Sequence, residues 1–325
     1  MGRLCIGLLL LTGLCGAAGA QDQNYPSRQV TLVVTSVPGG VTDVVGRALA
    51  QALSKAWGQE VIVENKGGAA HIIGAEAVAK AAPDGYTLLV GESGTFTVNP
   101  TLLPKDKVPY DADKDFTPIT GLVRIYQSIF AAKSLPVSNI SELIALAKQK
   151  PSQITYGTAG VGSALHMNMA LFDSMAGIKM IPVHYRGATP ALNDLIGDHI
   201  DTMVVSVASG LPAYKAGQIK MLGVGAPKRM PLVPEVPTVS ESGLPGYEAT
   251  AWFGLFGPAG LPQDIVTKID EATIKIFDDP SFRARFLDPQ MFESMAGPPD
   301  AFAAYIKAER AKWAKVIQDD DIKIQ

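Results

Sequence analysis

Two glycine-rich stretches carry the residues best placed for chemistry, and the chemistry they suit is capture of an anion by backbone amides. In the first, Val30–Ser36 is a short, β-branched, mostly apolar run that reads as a strand buried on both faces. Pro38-Gly39-Gly40 ends it, since proline has no N–H for a ladder and glycine permits a tight reversal. From Thr42 the period changes: Val44, Val45, Ala48, Leu49 and Leu53 line one side of a helix expected to run to about Trp57. Thr42 or Asp43 can cap its first turn. A strand that turns on glycines into a helix aims unpaired N–H groups at one point, where the helix dipole is also positive. Taken alone, this motif fits an anion site or a plain tight turn. It is no Walker loop and no dinucleotide fingerprint, because neither Gly-Lys-Ser/Thr nor G-x-G-x-x-G follows.

A second stretch has the same design. Ile154-Thr155-Tyr156 reads as a strand, Gly157 to Ser163 as a glycine-rich loop with Thr158 and Gly162 inside it, and a helix starts near Ala164–His166. Two helix N-termini facing each other across a cleft would hold a small molecule with carboxylates at both ends. His166, on the first turn of that helix, can face the ligand or make a local capping or packing contact. Tyr185-Arg186-Gly187 is a third strand–loop join. There Arg186 can either reach a carboxylate bidentately or stay solvated. Ser206 ends the next strand and points to the same edge if the sheet is parallel. Asp43 can serve as helix cap or as ligand contact. Hydrolytic nucleophiles are poorly supported: Gly-x-Ser-x-Gly, Ser-x-x-Lys and His-Glu-x-x-His do not occur. The histidines, His71, His166, His184 and His199, lack metal-ligand spacing on a common helix and, His166 apart, read as surface or packing residues. No cofactor or metal is expected.

The elements that must position these loops alternate. Glu60–Glu64, a helix over His71–Ala82 and Tyr86–Gly91 follow the first helix, and this β-α-β-α-β order predicts a parallel sheet wrapped by helices, with ligand loops at the strands' carboxyl ends. Asn99–Phe116 reads as irregular, and Ile119–Ala132 as a strand that crosses to a second domain. Helices over Ile140–Lys150, from Ala164 to Met175, over Pro190–Ile196 and Leu211–Ala216 alternate with strands at Met180–Tyr185, Thr202–Val207 and Lys220–Val224. Pro227–Gly246, with Pro231, Pro234, Pro237 and Pro245, reads as a returning connection on the first domain. Trp252–Gly257 is a strand; Gln263–Phe277, Pro280–Leu287 and Pro299–Gln318 are helices. The expected fold class is α/β: two domains, each a mostly parallel sheet flanked by helices, with a cleft between them. Domain 1 takes residues 25–122 with about 227–290, and domain 2 takes 123–226. The helix 299–318 is left unassigned.

Composition narrows the setting. Arg3, the apolar run Ile6–Leu14 and Ala18-Gly19-Ala20 read as a signal peptide cleaved after Ala20. The apolar run is about half the ~20 residues a bilayer span needs. Both cysteines, Cys5 and Cys15, lie inside the expected signal peptide, so the remaining chain has no disulfide, thiolate nucleophile or Cys-ligated zinc. Without Arg3, 27 basic residues face 31 acidic ones and no basic run stands out, which argues against nucleic acid as partner. An exported, soluble protein of two domains of ~150 residues fits.

The chain resembles the Bug-type (TctC-type) solute receptors of tripartite tricarboxylate transporters. The resemblance rests on PGGVTD within Val33–Asp43, Gly58-Gln59, Val63-Glu64-Asn65, Pro83 to Leu88, Asn99-Pro100 and Pro109-Tyr110-Asp111. It continues through Tyr156-Gly157 to Gly162-Ser163 and His166, Tyr185-Arg186-Gly187, Pro234–Thr238, Trp252-Phe253-Gly254 and Pro258-Ala259-Gly260. It implies a periplasmic two-domain receptor that closes around a small organic acid and delivers it to membrane permease subunits; the chain is expected to act as a monomer. A sensing receptor with the same pocket, or an exported hydrolase or isomerase using His166, is the alternative. Pro38, Gly39, Gly40, Thr42 and Asp43 match the family's first ligand loop, and Thr158, Gly162, Ser163 and His166 its second. Ser36 and Val37 depart from the aromatic or proline residues common there, and they border the expected pocket.

Overall fold

The computed structural model describes residues 25–68, 71–319 and 322–323. The expected signal peptide, Ala69-Ala70 and Asp320-Asp321 lie outside the described residues. The opening strand–turn–helix is present as β1 (Val30–Val34) and α1 (Val41–Trp57). It is followed by β2 (Val61–Asn65), α2 (Ile72–Ala79) and β3 (Thr87–Glu92). β1 lies between β2 and β3, parallel to both. Alternate residues point to opposite faces of this sheet, as a period of two requires. Leu32, Val34, Leu88 and Val90 pack under α1 on one face; Val33 and Leu89 meet Ile72, Ala75 and Val78 of α2 on the other.

Asn99–Phe116, expected as irregular, opens with a short helix. Two short helices, α3 (Ser93–Thr97) and α4 (Asn99–Leu102), follow β3 directly. The strand expected at Ile119–Ala132 begins three residues earlier, as β4 (Phe116–Ala132), and its length is what joins the two lobes. Its first part pairs antiparallel with a late strand, Thr250–Pro258, from Phe116 to Tyr126. Its second part, from Gln127 onward, pairs with strands of the other lobe.

That lobe contains α5 (Ile140–Gln149), β5 (Thr155–Thr158), α6 (Ala164–Ala176), β6 (Ile181–His184) and α7 (Ala188–Ile196). It continues with β7 (Thr202–Ser206), α8 (Val207–Lys215) and β8 (Ile219–Val224). β5 is parallel to both β6 and β7. Asn139 caps α5 by accepting from the Glu142 amide.

The Pro-rich segment 227–246 differs from its expected placement on the first domain. Its buried residues Val233, Val236, Val239 and Leu244 join the second lobe's core, with β8 held to Thr238 by a parallel bridge. Prolines stop it forming regular structure but leave its apolar side chains free to cover that core. The chain then returns through β9 (Thr250–Pro258) and α9 (Gln263–Asp278). Pro280–Leu287, expected as one helix, is a short α10 (Pro280–Phe282) followed by a π-helical turn at Arg283–Leu287. Next come α11 (Asp288–Gln290) and β10 (Phe292–Ser294), the latter pairing with β4.

The last helix, α12 (Pro299–Asp319), packs on both lobes. Phe302 and Ile306 enter the first lobe's core beside Trp252 and Phe256, whereas Trp313, Val316 and Ile317 enter the second. Arg310 adds a bond from Nε to the Phe96 carbonyl at 2.8 Å and a salt bridge to Asp113. No helix among the described residues is long and apolar enough to cross a membrane.

Candidate functional site

Four helix N-termini open into one cavity of about 530 Å³ between the lobes. Val41 and Thr42 of α1 line it from the first lobe; Ala164 and Leu165 of α6, Ala188 of α7, and Ala208 and Ser209 of α8 line it from the second. First-turn amides have no acceptor within their own helix, so these residues bring donors and positive dipole ends to a shared space. The middle of the cavity is apolar, with Ile125, Val205, Ala251, Phe253 and Phe292 in its wall. Among the described residues no Lys or Arg lines it; the ionisable ones are His71 and Glu92.

Of the residues singled out from the sequence, Ser36, Thr42, Gly162, Ser163 and Ser206 line this cavity together. Ser36 carries a buried Oγ with no hydrogen-bond partner among the described residues. Ser206 caps α8, its Oγ accepting from the Ser209 amide at 3.2 Å. Pro38, Gly39 and Gly40 shape the first loop without lining the cavity: Gly39 has φ +84°, which favours glycine, and the Gly40 amide closes the turn onto the Val37 carbonyl at 3.1 Å.

Asp43 acts behind that loop and not at its mouth. Gly40, not Thr42 or Asp43, holds the N-cap position, and no side chain caps the helix. The Asp43 carboxylate, 3% exposed, accepts from the Gly39 amide at 2.9 Å, from Asn65 Nδ2 at 2.8 Å and from both Nε and Nη2 of Arg47. The Arg47 hydrogen bond, against the opposing effect of burial and with the Gly39 and Asn65 bonds, lowers its pKa to about 2.

The second loop is braced in the same way. Thr158 is fully buried, accepts from the Gly160 amide at 3.2 Å and meets His184 Nδ1 at 2.7 Å. Ser163 caps α6 by accepting from the His166 amide at 3.3 Å and donates from Oγ to the Gly160 carbonyl at 2.7 Å. His166 is 5% exposed and turns away from the cavity; Nδ1 accepts from the Gly162 amide at 3.1 Å. Burial, then the charge that His184 would carry, lowers its pKa to about 4. Arg186 is exposed and outside the lining, because the chain reaches the cavity only two residues later, at Ala188.

Several lining side chains were not anticipated, among them His71, Glu92, Gln127 and Asn99. His71, expected as a packing residue, approaches the Thr35 carbonyl with Nδ1 at 2.8 Å and the Glu92 carboxylate with Nε2 at 2.7 Å. Both neighbours accept, so the ring holds a proton on each nitrogen while Glu92 is ionised. Burial opposes that charge, but Glu92 and the two hydrogen bonds outweigh it and raise the pKa. Gln127, 4% exposed, accepts on Oε1 from Asn168 Nδ2, and the same Nδ2 donates to the Thr250 carbonyl. A carbonyl can only accept, which fixes both amide orientations and leaves Gln127 Nε2 as its donor. Asn99 completes the group. Glu92 stands at the carboxyl end of β3, where open α/β sheets present ligand contacts, and that position was the available signal.

Residues 45–322 match the model of the tripartite tricarboxylate transporter family receptor. A Rhodopseudomonas palustris protein solved with adipate, Rpa4515, is 34% identical, with a TM-score of 0.81 covering 92% of this chain and 99% of that one. MatC of the same organism, solved with bound malate, is 34% identical with a TM-score of 0.76 over 90% and 100% of the two chains. BugT of Bordetella pertussis is 30% identical over 98% of this chain and 97% of its own. The fold is the two-domain α/β fold of periplasmic binding proteins, and the chain belongs to the tripartite tricarboxylate transporter receptor family, the Bug or TctC solute-binding proteins.

Proposed function

We propose that this protein captures a small carboxylate-bearing solute in the periplasm and delivers it to the membrane permease subunits of a tripartite tricarboxylate-type transporter. The observation that carries the reading is the convergence of four helix N-termini on a cavity that no Lys or Arg among the described residues lines. In such a cavity, anionic charge is met by amides and dipoles held in place before the ligand arrives. Adipate and malate, seen on two relatives, have the carboxylate pair that this geometry suits.

In this reading Ser36, Thr42, Gly162, Ser163 and Ser206 contact the ligand. Pro38, Gly39 and Gly40 set the first loop's shape, while Asp43, Thr158 and His166 hold the two loops from behind. Arg186 stands at the rim. The lobes are taken as 25–126 with 250–298, and 127–249, with α12 on both; they close about β4 and β9 as a monomer. Charge-assisted hydrogen bonds contribute ~1.5–3 kcal/mol each and a helix N-terminus up to ~2 kcal/mol. Four or five such contacts, less the cost of immobilising the ligand, leave about the 8 kcal/mol of a micromolar complex. No catalytic group is required.

The test is a thermal-shift screen of the chain lacking residues 1–20 against aliphatic, aromatic and hydroxylated mono- and dicarboxylates. Ligand at ~100-fold excess over Kd raises stability by ~2.7 kcal/mol. A panel in which no carboxylate moves the melting point removes the reading.

A further inference from the structure

We propose that Glu92 selects, among dicarboxylates, those carrying a hydroxyl or ammonium donor on the carbon next to the carboxylate held by the second lobe. The inference rests on the carboxylate-receptor reading and adds to it the chemistry of the ligand's body.

A negative side chain is out of place in a cavity built for anions unless it has its own partner there. Glu92 Oε1 engages His71 at 2.7 Å, and Oε2 gives the carboxylate a second acceptor oxygen. The Glu92 side chain is 26% exposed. The other polar side chains of the lining (serines, Thr42, Asn99, Gln127 and Gln290) all contain a donor, so an ionised Glu92 is the side chain there that can only accept. A plain diacid offers two acceptor ends and nothing to satisfy it. A ligand with an O–H or N–H group between its carboxylates does.

Position makes the preference regiospecific. Glu92 lines the main cavity and also an adjoining recess of about 40 Å³, whose wall includes Gly162, Ala164, Met167, Thr250 and Trp313. Gly162 and Ala164 belong to the loop and first turn at the N-terminus of α6. A carboxylate seated on that turn therefore places its neighbouring carbon, and not the far end of the molecule, against Glu92. His71 keeps the acceptor in place: it ties Glu92 at the end of β3 to the Thr35 carbonyl, one residue before Ser36. With His71 protonated the pair is neutral, so the acceptor is presented without a net negative charge to repel the ligand's carboxylates.

The experiment compares dissociation constants within matched sets: succinate, malate and aspartate, and glutarate, 2-hydroxyglutarate and glutamate. They are measured by calorimetry on the wild type and on Glu92→Gln and Glu92→Ala. In the wild type the hydroxyl or amino member of at least one set binds tenfold or more tightly than its plain diacid. In Glu92→Ala that ratio falls to within about twofold. Glu92→Gln, which keeps an acceptor oxygen for His71, retains part of the advantage for the hydroxyl ligand and loses it for the ammonium ligand. Plain diacids that bind as tightly as their substituted partners overturn the inference and leave the receptor reading standing, as does a ratio unchanged in Glu92→Ala. If no carboxylate binds, the receptor reading falls and this inference with it. Unliganded melting points of both variants verify that they fold.

Discussion

The amide of Gly162 donates to Nδ1 of His166 at 3.1 Å, so a residue lining the cavity is held by a histidine that faces away from it. The bond needs a lone pair on Nδ1, which burial and the neighbouring His184 preserve by lowering the pKa to about 4. The unfolded chain takes up a proton near pH 6.5, the folded chain only near 4, so the unfolded state binds more protons between those values. Stability therefore falls as pH drops from about 6.5 to about 4, by roughly 3 kcal/mol from this group, and levels off below. Urea midpoints at pH 7, 5.5 and 4.5 measure the slope. In His166→Asn the side-chain oxygen can take the Gly162 bond without titrating, and the slope diminishes. A wild-type midpoint that does not change over this range contradicts the assignment.

Ser36 separates binding from stability. Its Oγ is buried without a partner, and a polar atom in that condition is a cost to the unliganded fold. Ser36→Ala is expected to leave the unliganded chain as stable as before, or up to ~1 kcal/mol more stable. Carboxylate affinity falls by ~5- to 10-fold, the worth of one net hydrogen bond. Paired measurements of melting point and Kd distinguish this from a merely structural serine, which would lose stability and keep its affinity.

Asp43 is the reverse case. Asp43→Asn replaces a carboxylate that accepts from Gly39, Arg47 and Asn65 with an amide whose NH2 faces donors. Loss of a charge-assisted bond in a buried setting costs about 2 kcal/mol. Affinity falls as well, because the Gly39 turn loosens. The wild-type contribution is present above the usual carboxylate range and is lost as pH falls through about 2, since the folded pKa lies below the unfolded one. Denaturant midpoints of the variant and the wild type at pH 7 measure the cost; equal midpoints would exclude a bracing role.

The contrast between Ser36 and Asp43 shows how far the sequence could be read. They flank one loop, and the glycines between them announce a strand–helix turn with free amides, so the loop and the helix were legible. Which residue faces the ligand was not, because it depends on Asn65 and Arg47 reaching Asp43 from another strand and from the next helical turn. His166 was ambiguous for the same reason: one turn of helix can present a side chain to the cavity or away from it, and burial between Tyr156 and His184 decided the matter. His71 and Glu92 lie 21 positions apart on different elements, and neither has a local pattern that announces the pair. The Pro-rich segment was legible as irregular. Its seat on the second lobe required knowing that Val233, Val236 and Val239 share a side once the prolines have turned the chain.

Acidity tests one loop, and alkalinity tests the other. His71 protonated makes the His71–Glu92 pair neutral; deprotonated, it leaves a bare carboxylate in the cavity wall. Its pKa is raised, so the neutral pair persists above the ordinary histidine range and is lost as pH climbs through the folded value. Dicarboxylate affinity is therefore expected to hold through neutrality and weaken on the alkaline side. His71→Gln, which cannot titrate, removes that alkaline limb. Kd measured from pH 6 to 9.5 at constant ionic strength reads the limb directly, and a wild-type profile level to pH 9.5 contradicts the pairing.

The junction between lobes offers a steric test. Gly225 donates to the Gln127 carbonyl at 2.7 Å and accepts from the Ala249 amide at 2.9 Å, so the chain leaving β8 is clamped between β4 and the approach to β9. A Cβ at Gly225 would stand 2.5 Å from Ala249 Cβ and 2.8 Å from the Gln127 carbonyl oxygen, positions that a rotamer change cannot vacate. Overpacking of this kind costs ~1–3 kcal/mol, and more where backbone must move. Gly217→Ala is the comparison: nothing lies within 4 Å of its Cβ, and only its φ of +68° is strained, at ~1 kcal/mol. Because Gln127 also lines the cavity, Gly225→Ala is expected to weaken carboxylate binding as well as stability, while Gly217→Ala lowers stability alone. Calorimetry on the two variants, each compared at a temperature where it remains folded, measures the difference. Equal ligand affinities in the two would mean that the junction and the cavity are mechanically independent.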